Sequence, residues 1–402
     1  MKVVICGAGI AGLALAQRLD ASGAEVVVVE KAPGPRPQGY MIDFFGPGYD
    51  AAEAMGVLPR IRELGHHVDE MTYRDEHGRP RSRMRFAQFA KIVNGRLVSI
   101  MRPDLERALR EHVPDRVEVR YGTTLTHVGN RADGVTVTLT DGGTIEADLL
   151  VGADGIHSTV RRQVFGAERD FLRYLGFHTA AYSFDDADIH DQVTGQLCLT
   201  DTVDRQMGFY GLQDRRVAVF AVHRTADPAL PADPRAAIRH EYGTLGWMVP
   251  RALAACPAPE EVYYDQVAQI EMPTWSRDRV VLIGDAAYAV SLLAGQGASL
   301  GITGAYVLAE HLSRADAVET ALERYEQMLR PVVTDKQRVA RKGTRWFIPA
   351  TTRQLHIRRA ALGLSRLPVV DRYVAAALSG KSTAIITNLR ATAPRSTLSN
   401  AT

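Results

Sequence analysis

Residues 1–30 read MKVVICGAGIAGLALAQRLDASGAEVVVVE, and this stretch decides the fold. Val3, Val4 and Ile5 make a short apolar strand, a glycine turn follows, and the spacing predicts a helix over Ile10–Ala21 that Gly23 ends. Glu25–Glu30 then reads as a second, valine-rich strand, completing a βαβ unit. Between strand and helix, Gly7-Ala8-Gly9-Ile10-Ala11-Gly12 is a GxGxxG. Gly7 permits the tight turn, Gly9 lets a pyrophosphate approach the backbone, and Gly12 lets the helix pack closely. The helix N-terminus offers free amide hydrogens and a positive dipole end to phosphates. Glu30, with Lys31 beside it, ends the second strand, where an acid accepts hydrogen bonds from ribose hydroxyls. The unit points to a bound dinucleotide and leaves NAD and FAD both open; a purely structural glycine turn is the bland alternative.

Two more motifs follow apolar strands. Gly152-Ala153-Asp154-Gly155-Ile156-His157-Ser158-Thr159-Val160-Arg161 comes directly after Leu149–Val151, so Asp154 and Gly155 lie at the carboxyl end of a strand, where α/β folds bind ligands. An Asp-Gly turn with Ser158 capping a helix accounts for the same residues without a ligand. Gly284-Asp285-Ala286-Ala287 follows Val280–Ile283, and Gly295-Gln296-Gly297-Ala298 then opens a helix. An acid just beyond a buried strand can hold the hydroxyls of a ribityl chain. The glycines let a flat ring edge meet backbone amides at a helix N-terminus, whose dipole stabilises negative charge. A helix-capping Asp and a flexible glycine loop are the simpler reading.

Outward from these motifs, Ala32–Gly48 is loaded with Pro and Gly and is expected to be largely loop. Tyr73–Phe89 alternates like strands, with a turn at His77-Gly78, and Pro103 sits near the start of a helix reaching His112. From Val117 to Val151 the pattern is all β and reads as an antiparallel meander, and Phe171–Ile270 carries a further sheet with a helical insert over Pro234–Tyr242. Helices are expected over Gln296–Leu312 and Val318–Arg341, then one or two amphipathic helices over Thr351–Leu378 and a disordered end. The expected fold is therefore α/β: a Rossmann-like, glutathione reductase-type domain (1–72, 98–170, 276–345) with its meander. A β-sheet substrate domain (73–97, 171–275), a C-terminal helical segment (346–380) and a flexible tail (381–402) complete it.

Composition narrows the function. Of 402 residues, 48 are basic and 46 acidic, a net charge of +2 that gives no electrostatic reason for nucleic acid or a membrane surface as partner. No apolar run approaches the roughly 20 residues a bilayer-spanning helix needs, and Met1–Ile5 runs straight into the glycine turn without the marks of a signal peptide. Cys6, Cys198 and Cys256 share no close spacing, which argues against a disulfide framework or a zinc site and for a reduced, cytoplasmic protein. No histidine pair has ligand spacing, so no metal site is expected.

In order and spacing, the GxGxxG, DG and GD motifs resemble those of the class A, para-hydroxybenzoate hydroxylase-like FAD monooxygenases over about residues 1–341. The resemblance implies non-covalent FAD, NADPH or NADH as transient co-substrate, O2, and hydroxylation of an aromatic or polycyclic small molecule through a flavin C4a-hydroperoxide. Substrate identity, the position oxidised, the choice between hydroxylation, epoxidation and Baeyer–Villiger insertion, and monomer or homodimer are left open. It implies that Gly7, Gly9, Ile10, Ala11, Gly12, Glu30 and Lys31 bind the ADP half, and that Asp154 and Gly155 serve both FAD and the pyridine nucleotide. Gly284, Asp285, Ala286 and Gly295–Ala298 (including Gln296 and Gly297) then hold the ribityl chain and ring, with Arg102 touching the flavin. Two departures are notable: Tyr288 and Leu292 stand where the family usually has His and Pro, and Ser299 replaces a common Asn. His178, Tyr210, His223 and Arg224 on the expected substrate sheet, with Tyr288 and Leu292, are the pocket candidates; no catalytic base is named. A plain NAD dehydrogenase leaves the second and third motifs unused. A flavin-dependent halogenase shares the first glycine motif, and Trp346-Phe347-Ile348-Pro349 echoes half of its tryptophan signature, but Thr344 replaces the first tryptophan and the segment lies too near the C-terminus. An FAD-bearing protein that only binds its ligand fits the motifs equally.

Overall fold

The computed structural model describes residues 1–364 and 385–391. The βαβ unit forms as read: strand Lys2–Cys6, helix Ile10–Ala21, strand Glu25–Glu30. Val3, Val4, Ile5 and Val28 are fully covered, the state of strands buried on both faces. They lie within a six-stranded sheet ordered Ser276–Arg277, Val280–Leu282, Leu149–Gly152, Lys2–Cys6, Glu25–Glu30, Glu118–Tyr121. All neighbours run parallel except the antiparallel edge pair Ser276–Arg277 with Val280–Leu282. Cys6 pairs with Gly152, and Gly152 with Leu282. That register ends three central strands together, so the three motifs open from one edge of one sheet although they are far apart in sequence. The meander over Leu125–Ala147 forms three antiparallel strands with Val135, Val137 and Leu139 turned inward between threonines.

A second, seven-stranded sheet takes Glu70–Arg74 and Pro80–Arg85 together with five strands between Leu172 and Ile270. Its pairs are antiparallel except Gln196–Thr200 with Glu70–Arg74. Helices Pro234–Tyr242 and Val249–Ala254 cover one face over a core that includes Tyr182, Phe209 and Val219. The other face looks toward the first domain.

Several expectations are corrected. The proline- and glycine-rich stretch expected to be loop contains a strand, Met41–Phe45, paired with Leu97–Met101, and the helix Pro47–Ala54 begins within it. Its partner strand is distant in sequence, so no local pattern marks it. The strand expected from Tyr73 begins at Glu70, and Phe86–Ile92 turns into a helix rather than continuing the alternation. The long helices run Gly297–Arg314 and Val318–Phe347; the side chain of Trp346 and the expected tail helix beyond Leu364 lie outside the described residues. Thr352–Leu364 is helical and is gripped from below by Asp201, which accepts from Arg358 at 2.9 Å and Arg359 at 2.6 Å. Within the segment expected to be flexible, Ile385–Ala391 is a helix. Its Ile385, Ile386 and Leu389 are buried in the first domain's core, and the Leu389 carbonyl accepts from Arg314 at 3.1 Å. Among the described residues no helix is long and apolar enough to cross a membrane.

Candidate active site

A cavity of about 540 Å3 lies between the two sheets. Backbone glycines and helix starts line its first-domain side; apolar side chains of the seven-stranded sheet line the other. On the first side the geometry of each glycine follows from contact. Gly7 takes φ +111, and a Cβ at Gly12 would stand 1.9 Å from the Gly7 carbonyl oxygen, so the helix can start only without a side chain there. Gly9 caps this helix without any side-chain cap, and Gln296 stands in the same position before Gly297–Arg314. Gly9–Ala11 and Gly295–Ser299 both border the cavity, so two helix N-termini with unclaimed amide hydrogens face one space. Gly155 and Gly295, at φ +79 and +60, border it as well. Ser291 is held at φ +71, a conformation that costs a non-glycine residue energy. Its buried Oγ, like the Oε1 of Gln296, has no hydrogen-bond partner among the described residues. Orphaned polar atoms of this kind in a cavity wall mark where a polar ligand completes the bonding.

Charge in the wall is sparse: Asp43, Asp265 and Asp285 against one arginine, Arg102. Burial raises the Asp285 carboxyl above its usual range, with Arg102 opposing and Asp265 adding to the shift. Burial also raises Asp43, opposed by the hydrogen bond from Ser99 at 2.6 Å. Tyr40, beside Arg102 and Asp285, is pushed up to about 12 by burial. The sheet side is mostly apolar, with Met71, Met84, Leu197, Phe220 and Val267 beside Val68 and Phe86, and Thr179, Asp265 and Gln266 as its polar members.

The structure brings together most of the sequence-derived site. Gly9, Ile10, Ala11, Arg102, Gly155, Gly284, Asp285 and Gly295–Ala298 line the cavity, as do Tyr210 and Leu292. Glu30 lies behind the first turn, buried, its carboxylate accepting from the amides of Ala8 and Ala32 at 2.9 Å each, with Lys31 exposed beside it. Ala286 is buried behind Asp285. Tyr210 presents its ring only; its hydroxyl accepts from the Met41 amide at 2.6 Å and so ties the second sheet to the first domain.

Other candidates point elsewhere. Asp154 turns its carboxylate away to cap the next helix, accepting from Ser158 Oγ at 2.5 Å and from the Thr159 and Val160 amides. The capping explanation thus accounts for Asp154. His178 and His223 lie on the opposite sheet face from Thr179 and Phe220, because successive strand residues alternate. There they pack edge to face, 5.7 Å apart, and bond the hydroxyls of Tyr264 and Tyr242. Arg224 reaches Asp204 and the Ile348 carbonyl, pinning the end of the long helix to the sheet. Tyr288 is core: its ring lies 4.6 Å from that of Trp275 and its hydroxyl meets Tyr325 at 3.3 Å, in space that only glycine at 304 leaves open. Ser299 accepts from the Gly48 amide and donates to the Phe45 carbonyl, joining the second uncapped helix to the hidden strand. Sequence reasoning missed Tyr40, Asp43, Asp265 and Ser291; only Asp265, the one charged residue of the strand Tyr263–Ile270, carried a local signal. Arg161, quoted in the second motif but given no role there, is fully buried and donates to the Ile156 and Ala286 carbonyls, stapling the second motif to the third.

Comparison with known proteins agrees with this geometry. The family described as "FAD binding domain" matches residues 1–340. The FAD-dependent monooxygenase asL6 of Sarocladium schorii is 30% identical over 379 residues, covering 86% of this chain and 88% of that protein. A flavin-dependent monooxygenase of an unknown prokaryotic organism is 30% identical over 346 residues, covering 84% and 87%. Among solved structures, tetracycline destructase Tet(51) superposes with a TM-score of 0.78 at 25% identity, over 92% of this chain and 97% of that one. Klebsiella pneumoniae HpxO, solved with FAD and uric acid, shares the fold with a TM-score of 0.77 at 24% identity, over 95% and 97%. The chain therefore belongs to the FAD-binding domain family of para-hydroxybenzoate hydroxylase-like flavin monooxygenases, and FAD is its cofactor.

Proposed function

We propose that the protein uses NADPH or NADH and O2 to hydroxylate an aromatic or polycyclic compound, neutral or cationic, on FAD. One observation carries the reading: the uncapped helix starts and the apolar sheet face enclose a single space, of a size that takes a ring system and a small molecule together. The orphaned Ser291 and Gln296 atoms and the glycine-lined backbone fit FAD. In this reading Gly9–Ala11 bind its pyrophosphate through helix amides, Glu30 the adenosine ribose, and Asp285 the ribityl hydroxyls. Gly295–Ala298 back the ring with Arg102 beside it. Bound flavin supplies electron transfer from the nicotinamide and activation of oxygen. The chain's own part is to exclude water with Met71, Met84, Leu197 and Phe220 and to hold the substrate flat against the ring. A wall with three carboxylates and one arginine favours neutral or cationic substrates over anions. The likeness to tetracycline destructases supports tetracyclines as the first polycycles to try.

The test is a visible spectrum of the purified protein, then NADPH and NADH oxidation in air with a panel of phenols and tetracyclines. A yellow protein whose nucleotide consumption rises with one compound, giving product one oxygen heavier, is expected. A yellow protein that binds a compound but oxidises neither nucleotide would overturn the proposal in favour of a binding role.

A further inference from the structure

Beside the second motif, three ionisable side chains form a line from the cavity wall outward. Asp265 borders the cavity and its Oδ1 lies 3.2 Å from His157 Nε2; the other ring nitrogen, Nδ1, lies 3.0 Å from Glu168 Oε1. Asp265 is the most covered of the three, its side chain 15% exposed against 37% for His157 and 30% for Glu168, so the latter two reach solvent. Carboxylate oxygens only accept, so an imidazole with a carboxylate on each nitrogen bonds both only as the doubly protonated cation. The surroundings agree. Arg161 holds Glu168 from the far side at 3.1 Å, and Asp285 and Tyr263 lie in the electrostatic neighbourhood of Asp265. The His157 pKa is raised to about 8, chiefly by its bond to Asp265 and further by Glu168, against burial. Asp265 adds to the negative wall of the cavity, and neither His157 nor Glu168 is used in the flavin or substrate contacts above.

We propose that Asp265, His157 and Glu168 form a proton conduit between solvent and the flavin cavity. The inference rests on the proposed oxidase and oxygenase chemistry, which consumes one proton per cycle. NADPH + H+ + O2 gives NADP+ + H2O2 without substrate, and R–H in addition gives R–OH and water. In the conduit His157 passes its Nε2 proton to Asp265 and keeps its Nδ1 proton; a half-turn of the ring then presents the bare nitrogen to Glu168, which relays a solvent proton to it and restores the imidazolium. A chain of hydrogen bonds can do this without opening the cavity to bulk water.

The test uses the FAD-loaded protein and its His157→Gln and Glu168→Gln variants, with NADPH and air alone as probe and H2O2 as product. Wild-type turnover is expected to fall as pH rises through about 8. His157→Gln should lose that limb, run roughly tenfold slower or worse and recover with added imidazole, with FAD content unchanged. A second readout needs no turnover: in 15N-histidine spectra, one ring titrating near 8 should vanish in His157→Gln and titrate lower in Glu168→Gln. An unchanged rate and pH profile in His157→Gln would refute the conduit. So would a loss of FAD or stability with the pH limb intact and no imidazole effect, which identifies a structural latch instead. Should the wild-type protein be yellow yet oxidise no NADPH, the oxygenase reading fails separately. Dithionite-reduced anionic flavin, which takes up O2 and one proton to give oxidised flavin and H2O2, then serves as the probe with the same expected outcomes.

Discussion

Arg161 gives the sharpest prediction, because it contacts both motif loops and is fully buried. Its guanidinium donates to the Ala286 carbonyl at 2.9 Å, to the Ile156 carbonyl, and to Glu168 at 3.1 Å. Arg161→Met keeps most of the side-chain volume, so the cost comes from polar groups left behind rather than from a cavity. Each buried group stripped of a charged partner costs about 1 to 3 kcal/mol, and removing one partner of a buried ionic contact about 3 to 5. The three contacts overlap, so the expected loss is about 4 kcal/mol, a large part of the 5 to 15 kcal/mol that typically holds a folded chain. Urea unfolding of the FAD-free protein should show it as a midpoint lower by about 1 M or more, for a slope of a few kcal/mol/M. FAD titration should show weaker binding, because the Gly155 and Asp285 loops lose their common staple. An unfolding free energy within about 0.5 kcal/mol of wild type, with FAD affinity unchanged, would refute a structural role for this arginine in the site.

Gly12→Ala should give a folded but colourless protein, because its Cβ meets the Gly7 carbonyl at 1.9 Å and the helix start must move away from the cofactor; absorbance near the flavin bands is the measurement. Asp201→Ala should cost about 3 to 5 kcal/mol by removing the buried carboxylate that holds Arg358 and Arg359, and limited proteolysis should then release the segment from Thr352 first. His223 is pushed down to about 4 from 6.5 by burial. The unfolded chain therefore binds the extra proton first, so stability is full above about 6.5 and falls as pH drops toward 4, by on the order of 3 kcal/mol. His223→Gln should flatten that part of the stability-against-pH curve, followed by thermal unfolding.

How much was legible in the sequence follows the range of the interactions. The βαβ unit, its glycine turn and the strands ahead of the other two motifs were legible because a local apolar run or a backbone requirement writes itself into adjacent residues. Gly12 is obliged by the Gly7 carbonyl within its own turn and Gly7 by its φ of +111, though the loop at Ala153 also leaves no room for a side chain on Gly7; Val135, Val137 and Leu139 are set by simple alternation. What the sequence could not settle was decided by partners far along the chain. Met41–Phe45 became a strand only because Leu97–Met101 pairs with it, and Ile385–Ala391 a helix because the first domain buries Ile386 and Leu389. Which face of a strand looks into the cavity is likewise a tertiary matter. One step of register places Thr179 in the wall and sends His178 to the other side, and the fold hands Asp154 to a helix cap while leaving Asp265 at the cavity. Sequence alone thus pointed to a bound dinucleotide through local backbone geometry, and the order of the three motifs implied FAD. The tertiary structure decided which side chains reach the cofactor and the substrate, because direction in space is set by packing between distant segments.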